Sequence, residues 1–243
     1  MSIFRTHSST PPVVLNLLIA NVVVFVAMML FESSMIRFQL FTVDLRGGAQ
    51  QWWNDLIDIN ALGDPTWSQA KFHIWQPLTY MFMHGGFSHL FFNMFSLWMF
   101  GRTLELELGA KRFLIYYIVC GVGAALFQMG VAQIDLAHLE IGSRAWIQYM
   151  ATPTVGASGA IFGLLLAFGL LHPNAMISLI FPPITLKAKW FVVIYGALEP
   201  LLGVSGTMDN VAHFAHLGGM FWGWLLLLWW RHQARKNNNY YQY

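Results

Sequence analysis

Charge is scarce in this chain. Asp, Glu, Lys and Arg make up 10% of its 243 residues, against roughly 25% in an ordinary soluble domain. Hydrophobic residues make up 57%, with 11 Trp and 20 Phe among them. That balance excludes an ordinary water-soluble globule and indicates a polytopic membrane protein. A net charge of +2 is too small to hold nucleic acid, which needs a dense basic surface. The one cysteine, Cys120, excludes an intrachain disulfide and, set in an apolar run, reads as a small buried residue. Neither an HExxH zinc motif nor a nucleotide-binding motif occurs, so no metal and no other cofactor is expected.

What is present is a series of apolar runs. The first, VVLNLLIANVVVFVAMMLF at 13–31, exceeds a signal-peptide core and is followed by no A-x-A-like cleavage site, so it reads as an uncleaved span. Five more follow: FSHLFFNMFSLWMFG, FLIYYIVCGVGAALFQMGVA, a short run from Ser158 to near His172, WFVVIYGALEPLLG, and FAHLGGMFWGWLLLLWW. Six spans put both termini on the same side. With that side cytoplasmic, the inner segments hold Arg5, Arg102, Lys111, Arg112, Lys187, Lys189, Arg231, Arg235 and Lys236. The outer segments hold only Arg37, Arg46, Lys71 and Arg144, a distribution that follows the positive-inside bias. The long segment 32–76, with Trp52, Trp53, Leu56, Ile57, Ile59, Trp67 and Trp75, is expected to lie partly helical in the outer interface.

Polar residues inside spans are costly and usually line a cavity or a packed interior. His89 and Asn93 are four apart and share one helix face; as bare residues, interhelical glue is as good a reading as any. Ser158 is followed by Gly159 and Gly163, and His216 by Gly219 and Gly223. Small residues at this spacing let helix backbones approach closely in lipid. Each stripe begins beside one half of a nucleophile–base pair, and both halves lie near the outer ends of their spans. If the stripes pack together, Ser158 meets His216, the minimum for nucleophilic catalysis. Attack on a carbonyl also needs oxyanion donors. The Ser158 backbone N–H at a helix start offers one, and His89 and Asn93 offer two more.

These stretches resemble the rhomboid intramembrane serine proteases. GASGAIFG is similar to the family's GxSG motif, AHLGGMFWG to its AHxxGxxxG motif, and HGGFSHLFFN to its oxyanion-residue pattern. GRTLELELG resembles the turn that follows, with Arg102 and Glu105 in structural roles. The match is strongest over 75–230. It implies an all-α six-transmembrane-helix bundle, here over 13–231; composition and charge bias set a cytoplasmic tail (1–12) before it and a polar, mobile tail (232–243) after it. It also implies a short central fourth helix and a water-filled cavity open to the outer face. The implied activity is a serine endopeptidase acting on single-span membrane proteins that enter laterally from the bilayer, with Ser158 as nucleophile and His216 as base. Many members carry a tyrosine four residues after the serine; here it is Phe162, which keeps the ring and loses the hydroxyl.

No carboxylate has an evident claim on His216, so a dyad is expected instead of a triad. Glu199 could be imagined as a third member but is expected instead at the interface or water cavity beside Pro200, Asp209 as a solvated loop charge, His84 as a stiffener of the first loop, and His213 at the water-accessible mouth. His84, His89, His213 and His216 raise the question of a nitrogen-rich metal site, but no carboxylate stands where it would activate a metal-bound water. A binding pseudoenzyme remains the alternative, although such relatives usually lack the serine or the histidine. A transporter would more naturally show broken helices in paired halves, and the chain has no inverted repeat. Compact length and the lack of a transit peptide point to a bacterial plasma membrane.

Overall fold

The apolar runs become helices, and one of the few charges present ties the start of the first. A computed structural model describes residues 10–58, 71–178, 184–205 and 210–236. Helix α1 (Pro12–Leu30) opens on a proline, whose missing N–H costs nothing in a first turn. The next two N–H groups, of Val13 and Val14, donate to the Glu105 carboxylate at 2.9 and 2.7 Å. Glu105 is buried, so a long-range carboxylate satisfies a helix start that has no side-chain cap of its own.

Short helices α2 (Glu32–Met35), α3 (Ala49–Asp58) and α4 (Gln76–Thr79) occupy the long first connection. Then come α5 (Phe87–Leu108), α6 (Ala110–Ala137), α7 (Arg144–Ala151), α8 (Ser158–Leu171), α9 (Ala188–Ser205) and α10 (Asn210–Lys236). Between α8 and α9, β1 (Met176–Ser178) pairs antiparallel with β2 (Thr185–Lys187), Ile177 facing Leu186. Three-residue strands are too short to leave an alternating signal in sequence. Helix α10 continues through Lys236, so the first residues of the expected C-terminal tail are helical.

Among the described residues, α1 and α6 are long and apolar enough to cross a membrane. Helix α5 carries Arg102, Glu105 and Glu107 in its last turns, and α8 has only 14 residues. Helix α8 is the central element, packed against α5, α6, α9 and α10. Its inward positions are Gly159, Ala160, Ile161, Gly163, Leu164, Leu165, Ala167 and Gly169.

The first connection is anchored on protein. Trp53 of α3 and Trp146 of α7 meet edge to face at 5.7 Å between centroids, in a satellite core with Ala49, Leu136 and Met150. Trp53 thus faces inward, while Trp75 stays partly exposed. The side chains of Trp52, Leu56 and Ile57, and the residues Ile59 and Trp67, lie outside the described residues. Asp44 ties this unit together: Trp146 Nε1 donates to Oδ2 at 2.8 Å, and Arg46 Nη2 donates to the same oxygen at 2.6 Å. Burial pushes the Asp44 carboxyl upward, but the bonds from Arg46 and Trp146 outweigh it and leave its pKa below the usual carboxylate value.

A group with a depressed folded pKa contributes stability above its unfolded pKa and loses it as pH falls through the folded value. Acidification below pH about 4 should therefore release the α3–α7 unit before the helical core. Trp fluorescence and limited proteolysis of the 32–76 segment should report that release, and Asp44→Asn should show it already at neutral pH. An identical acid profile for Asp44→Asn would remove the carboxylate from this role.

Candidate active site

Ser158 is the first residue of α8, and the segment before it is held by three backbone hydrogen bonds. Thr154 and Leu40 exchange two backbone bonds, at 2.8 and 3.1 Å, and the Gly156 N–H donates to the Tyr80 carbonyl at 3.0 Å. Gly156 sits at φ 123°, where side chains are rarely tolerated, and a Cβ there would stand 2.7 Å from His89 Nε2. Ala157 provides no side-chain cap, so the first N–H groups of α8 meet no capping oxygen.

The two glycine stripes meet. A Cβ on Gly219 would overlap the Gly159 carbonyl oxygen, and one on Gly163 would stand 3.1 Å from the Gly219 carbonyl while overlapping Cys120 Sγ. Gly223 is filled from the side by Tyr116, whose hydroxyl donates to the Gly163 carbonyl at 2.9 Å. Tyr80 likewise donates to the Gly121 carbonyl at 2.7 Å. With the backbones this close, His216 Nε2 lies 2.8 Å from Ser158 Oγ. Phe162, one turn into α8, stacks on the His216 ring at 4.1 Å and 4°. The stack that the Tyr-to-Phe departure put at issue is present, since it needs only the ring face.

Glu199 departs from its sequence-based expectation. It is 7% exposed, with Oε2 2.6 Å from His213 Nδ1 and 2.9 Å from His216 Nδ1. The His213 contact is an aligned hydrogen bond; the His216 contact is close but off line, leaving Nδ1 buried without an aligned partner. His213, expected at a wet mouth, is buried against this carboxylate. The reason is tertiary: α9 and α10 are neighbours, and the 17-residue offset from Glu199 to His216 does not reveal which turns of two packed helices face each other. The signal available beforehand was an ionisable residue inside an apolar span, which needs a partner. Asp209 lies outside the described residues.

His89 accepts a long 3.4 Å bond from the Gly85 N–H at Nδ1. That assigns the ring proton to Nε2, the nitrogen beside Gly156 on the approach to Ser158. Asn93 is buried, and its amide donates to the His89 carbonyl at 2.8 Å, which uses one of its two N–H groups. His84 turns Nδ1 to the Phe82 carbonyl at 3.3 Å, stiffening the turn before α5. The four histidines do not form one cluster: His84 meets His89 edge to face at 5.1 Å, and His213 meets His216 at 6.3 Å.

Comparison with known proteins places this geometry in context. The model of the Rhomboid domain matches residues 71–233. The chain is 33% identical over 149 residues to "Rhomboid protein 1, mitochondrial" of Saccharomyces cerevisiae, covering 60% of this chain and 40% of that protein. It is 32% identical over 160 residues to "RHOMBOID-like protein 5" of Arabidopsis thaliana, covering 63% and 44%. To "Rhomboid protease AarA" of Providencia stuartii it is 25% identical over 223 residues, covering 87% and 70%. The chain thus spans less than half of the first two relatives' length.

Gly156→Ala should cost about 1–3 kcal/mol, because it adds strain at a positive φ and displaces His89. Thermal unfolding in detergent measures this; an unchanged midpoint would show that the segment relaxes freely.

Proposed function

We propose that this chain, which belongs to the membrane-embedded rhomboid family, is an intramembrane serine endopeptidase. It would hydrolyse one peptide bond in or near the transmembrane segment of single-span membrane proteins. Relatives bearing the name protease support hydrolysis. The observation that carries the reading is the 2.8 Å separation of His216 Nε2 and Ser158 Oγ.

In this mechanism His216 Nε2 takes the Ser158 proton as Oγ attacks the carbonyl carbon, and later returns it to the leaving amine. Water then attacks the acyl-enzyme, with the same nitrogen as base. The Glu199 carboxylate beside Nδ1 favours the tautomer with its proton there, so that the Nε2 lone pair faces the serine. In this reading an orienting carboxylate is added to the dyad expected from sequence. The oxyanion is received by the Ser158 N–H, His89 Nε2–H and the second amide N–H of Asn93. Stacking on Phe162 holds the imidazole plane. No cofactor enters these steps.

The six longest helices are read as six spans, with both termini cytoplasmic and the site opening to the outer face of a bacterial plasma membrane. The apolar belt supports this: Ile19, Val22, Val23 and Val26 of α1, Phe91 and Phe92 of α5, and Val193 and Leu201 of α9 are exposed, as lipid contact requires. The 14 residues of α8 rise about 21 Å, short of a roughly 30 Å hydrocarbon core. One end of α8 therefore lies below the headgroups, where a water-filled cavity can reach it.

Reconstitution with a single-span reporter tests the reading. Ser158→Ala and His216→Ala should each lower cleavage by at least about 10⁴-fold, and a fluorophosphonate should label Ser158 in the unsubstituted protein. Cleavage surviving either substitution would refute it, and a folded protein that neither cuts nor labels would be a binding pseudoenzyme. Asn93→Ala should lower turnover by about 10²–10³-fold with substrate binding nearly unchanged; a change confined to the apparent binding constant would remove Asn93 from the oxyanion site.

A further inference from the structure

Glu199, His213 and His216 converge from two adjacent helices, and one ligand atom from each lies within 4.8 Å of the other two. We infer that these three side chains form a binding site for a divalent transition metal, Zn²⁺ above all, and that occupancy switches the serine site off. The switching half rests on the proposed proteolytic function; the binding half does not.

The donor set fits. Two imidazoles and one carboxylate are a common protein ligand set for zinc, leaving a fourth position for water. A tetrahedral ion about 2.0–2.2 Å from each donor separates the donors by about 3.3–3.5 Å. Glu199 Oε2 now stands 2.6 and 2.9 Å from the two nitrogens, so an ion needs only a retreat or rotation of one carboxylate. His216 Nδ1 is buried and lacks an aligned hydrogen-bond partner, so metal coordination displaces no well-made bond there. His213 surrenders one hydrogen bond, to Glu199, and both residues gain the ion. All three side chains are at least four-fifths buried, which strengthens a charged contact relative to water.

Inhibition follows from the tautomer. A neutral imidazole has one N–H and one lone pair. With the proton on Nδ1, His216 offers the Nε2 lone pair to Ser158. Zinc on Nδ1 takes that nitrogen's lone pair, and the single ring proton moves to Nε2. The nitrogen 2.8 Å from Ser158 Oγ then carries a hydrogen and cannot accept the serine proton. Charge balances without any redox step: the imidazole stays neutral, and the ion is offset by the Glu199 carboxylate and the ligands it brings.

The test uses the full chain in detergent micelles, dialysed to equilibrium against Zn²⁺ and assayed for bound metal by atomic emission. The unsubstituted protein should bind one zinc per chain, and Ser158→Ala should bind it equally well. His213→Ala and Glu199→Gln should each weaken binding by at least the roughly 10–100-fold that losing even an outer partner costs. Fluorophosphonate labelling of Ser158 should slow in proportion to zinc occupancy, recover on chelation, and resist zinc in His213→Ala. Should the substituted chains misfold, Co²⁺ in the unsubstituted protein should give the intense visible bands of a tetrahedral site. Substoichiometric zinc, zinc held undiminished by His213→Ala, a pale octahedral cobalt spectrum, or labelling unaffected at full occupancy would each overturn the inference. A protein that binds zinc in this way but cuts no membrane substrate would retain the metal site and lose the protease.

Discussion

The arrangement depends on backbone-to-backbone contact between α8 and α10. At Gly219 no side chain fits, because the position a Cβ would take is occupied by the Gly159 carbonyl oxygen of the facing helix, and a Cβ on Gly159 would collide with Ala124 of α6. In lipid, helices gain little from hiding apolar surface from one another, since the surrounding tails are equally apolar. Close packing therefore carries much of the association. Here it also sets the separation of two polar side chains at the start of each stripe. A serine has one short side-chain bond to reach with; only helices this close bring its oxygen to an imidazole across the interface.

Once α8 and α10 are fixed, the surrounding contacts act on orientation. Phe162 determines the plane of the His216 ring from α8, and Glu199 approaches the far nitrogen from α9. Tyr116 and Tyr80 fill the space glycine leaves open and bond to the backbone carbonyls of Gly163 and Gly121. These buried hydroxyls are satisfied by main-chain oxygens of neighbouring helices, so they add specificity of register without leaving an unpaired group. The Glu105 carboxylate does comparable work at the far side, joining α5 to the first turn of α1.

Much of this was legible as spacing. The i, i+4 stripes after Ser158 and His216 named both the contact surface and the pair it brings together, because glycine periodicity on a helix is a local property. Helix positions followed from apolar runs for the same reason. Glu199 was visible as an ionisable residue in a span, and its pairing with His216 was only the less favoured reading, since which turns of α9 and α10 face each other is a tertiary property. Asp44 was hidden for a related cause: its partners are Arg46, two residues away, and Trp146, 102 residues away, and only the second matters for tertiary structure. The β1–β2 pair was too short to carry a pattern. Local periodicity is readable; long-range polar pairing is readable only where such a periodicity marks the contact.

The polar cluster also shows why the glycines are concentrated where they are. Ser158, Glu199, His213 and His216 gather ionisable and hydroxyl groups in a largely buried place, where each must find a partner or cost stability. His216 Nδ1, with no aligned partner, is such a cost. A loosely packed helix pair would relieve it by opening to water and letting the side chains rotate apart. The Gly159–Gly219 approach prevents that, because separating the backbones forfeits close contacts along the stripe as well as at its polar end. Packing at the glycines and the unsatisfied imidazole nitrogen are thus opposed. The fold holds the Ser158–His216 contact in an arrangement that its polar groups, left to themselves, would relax.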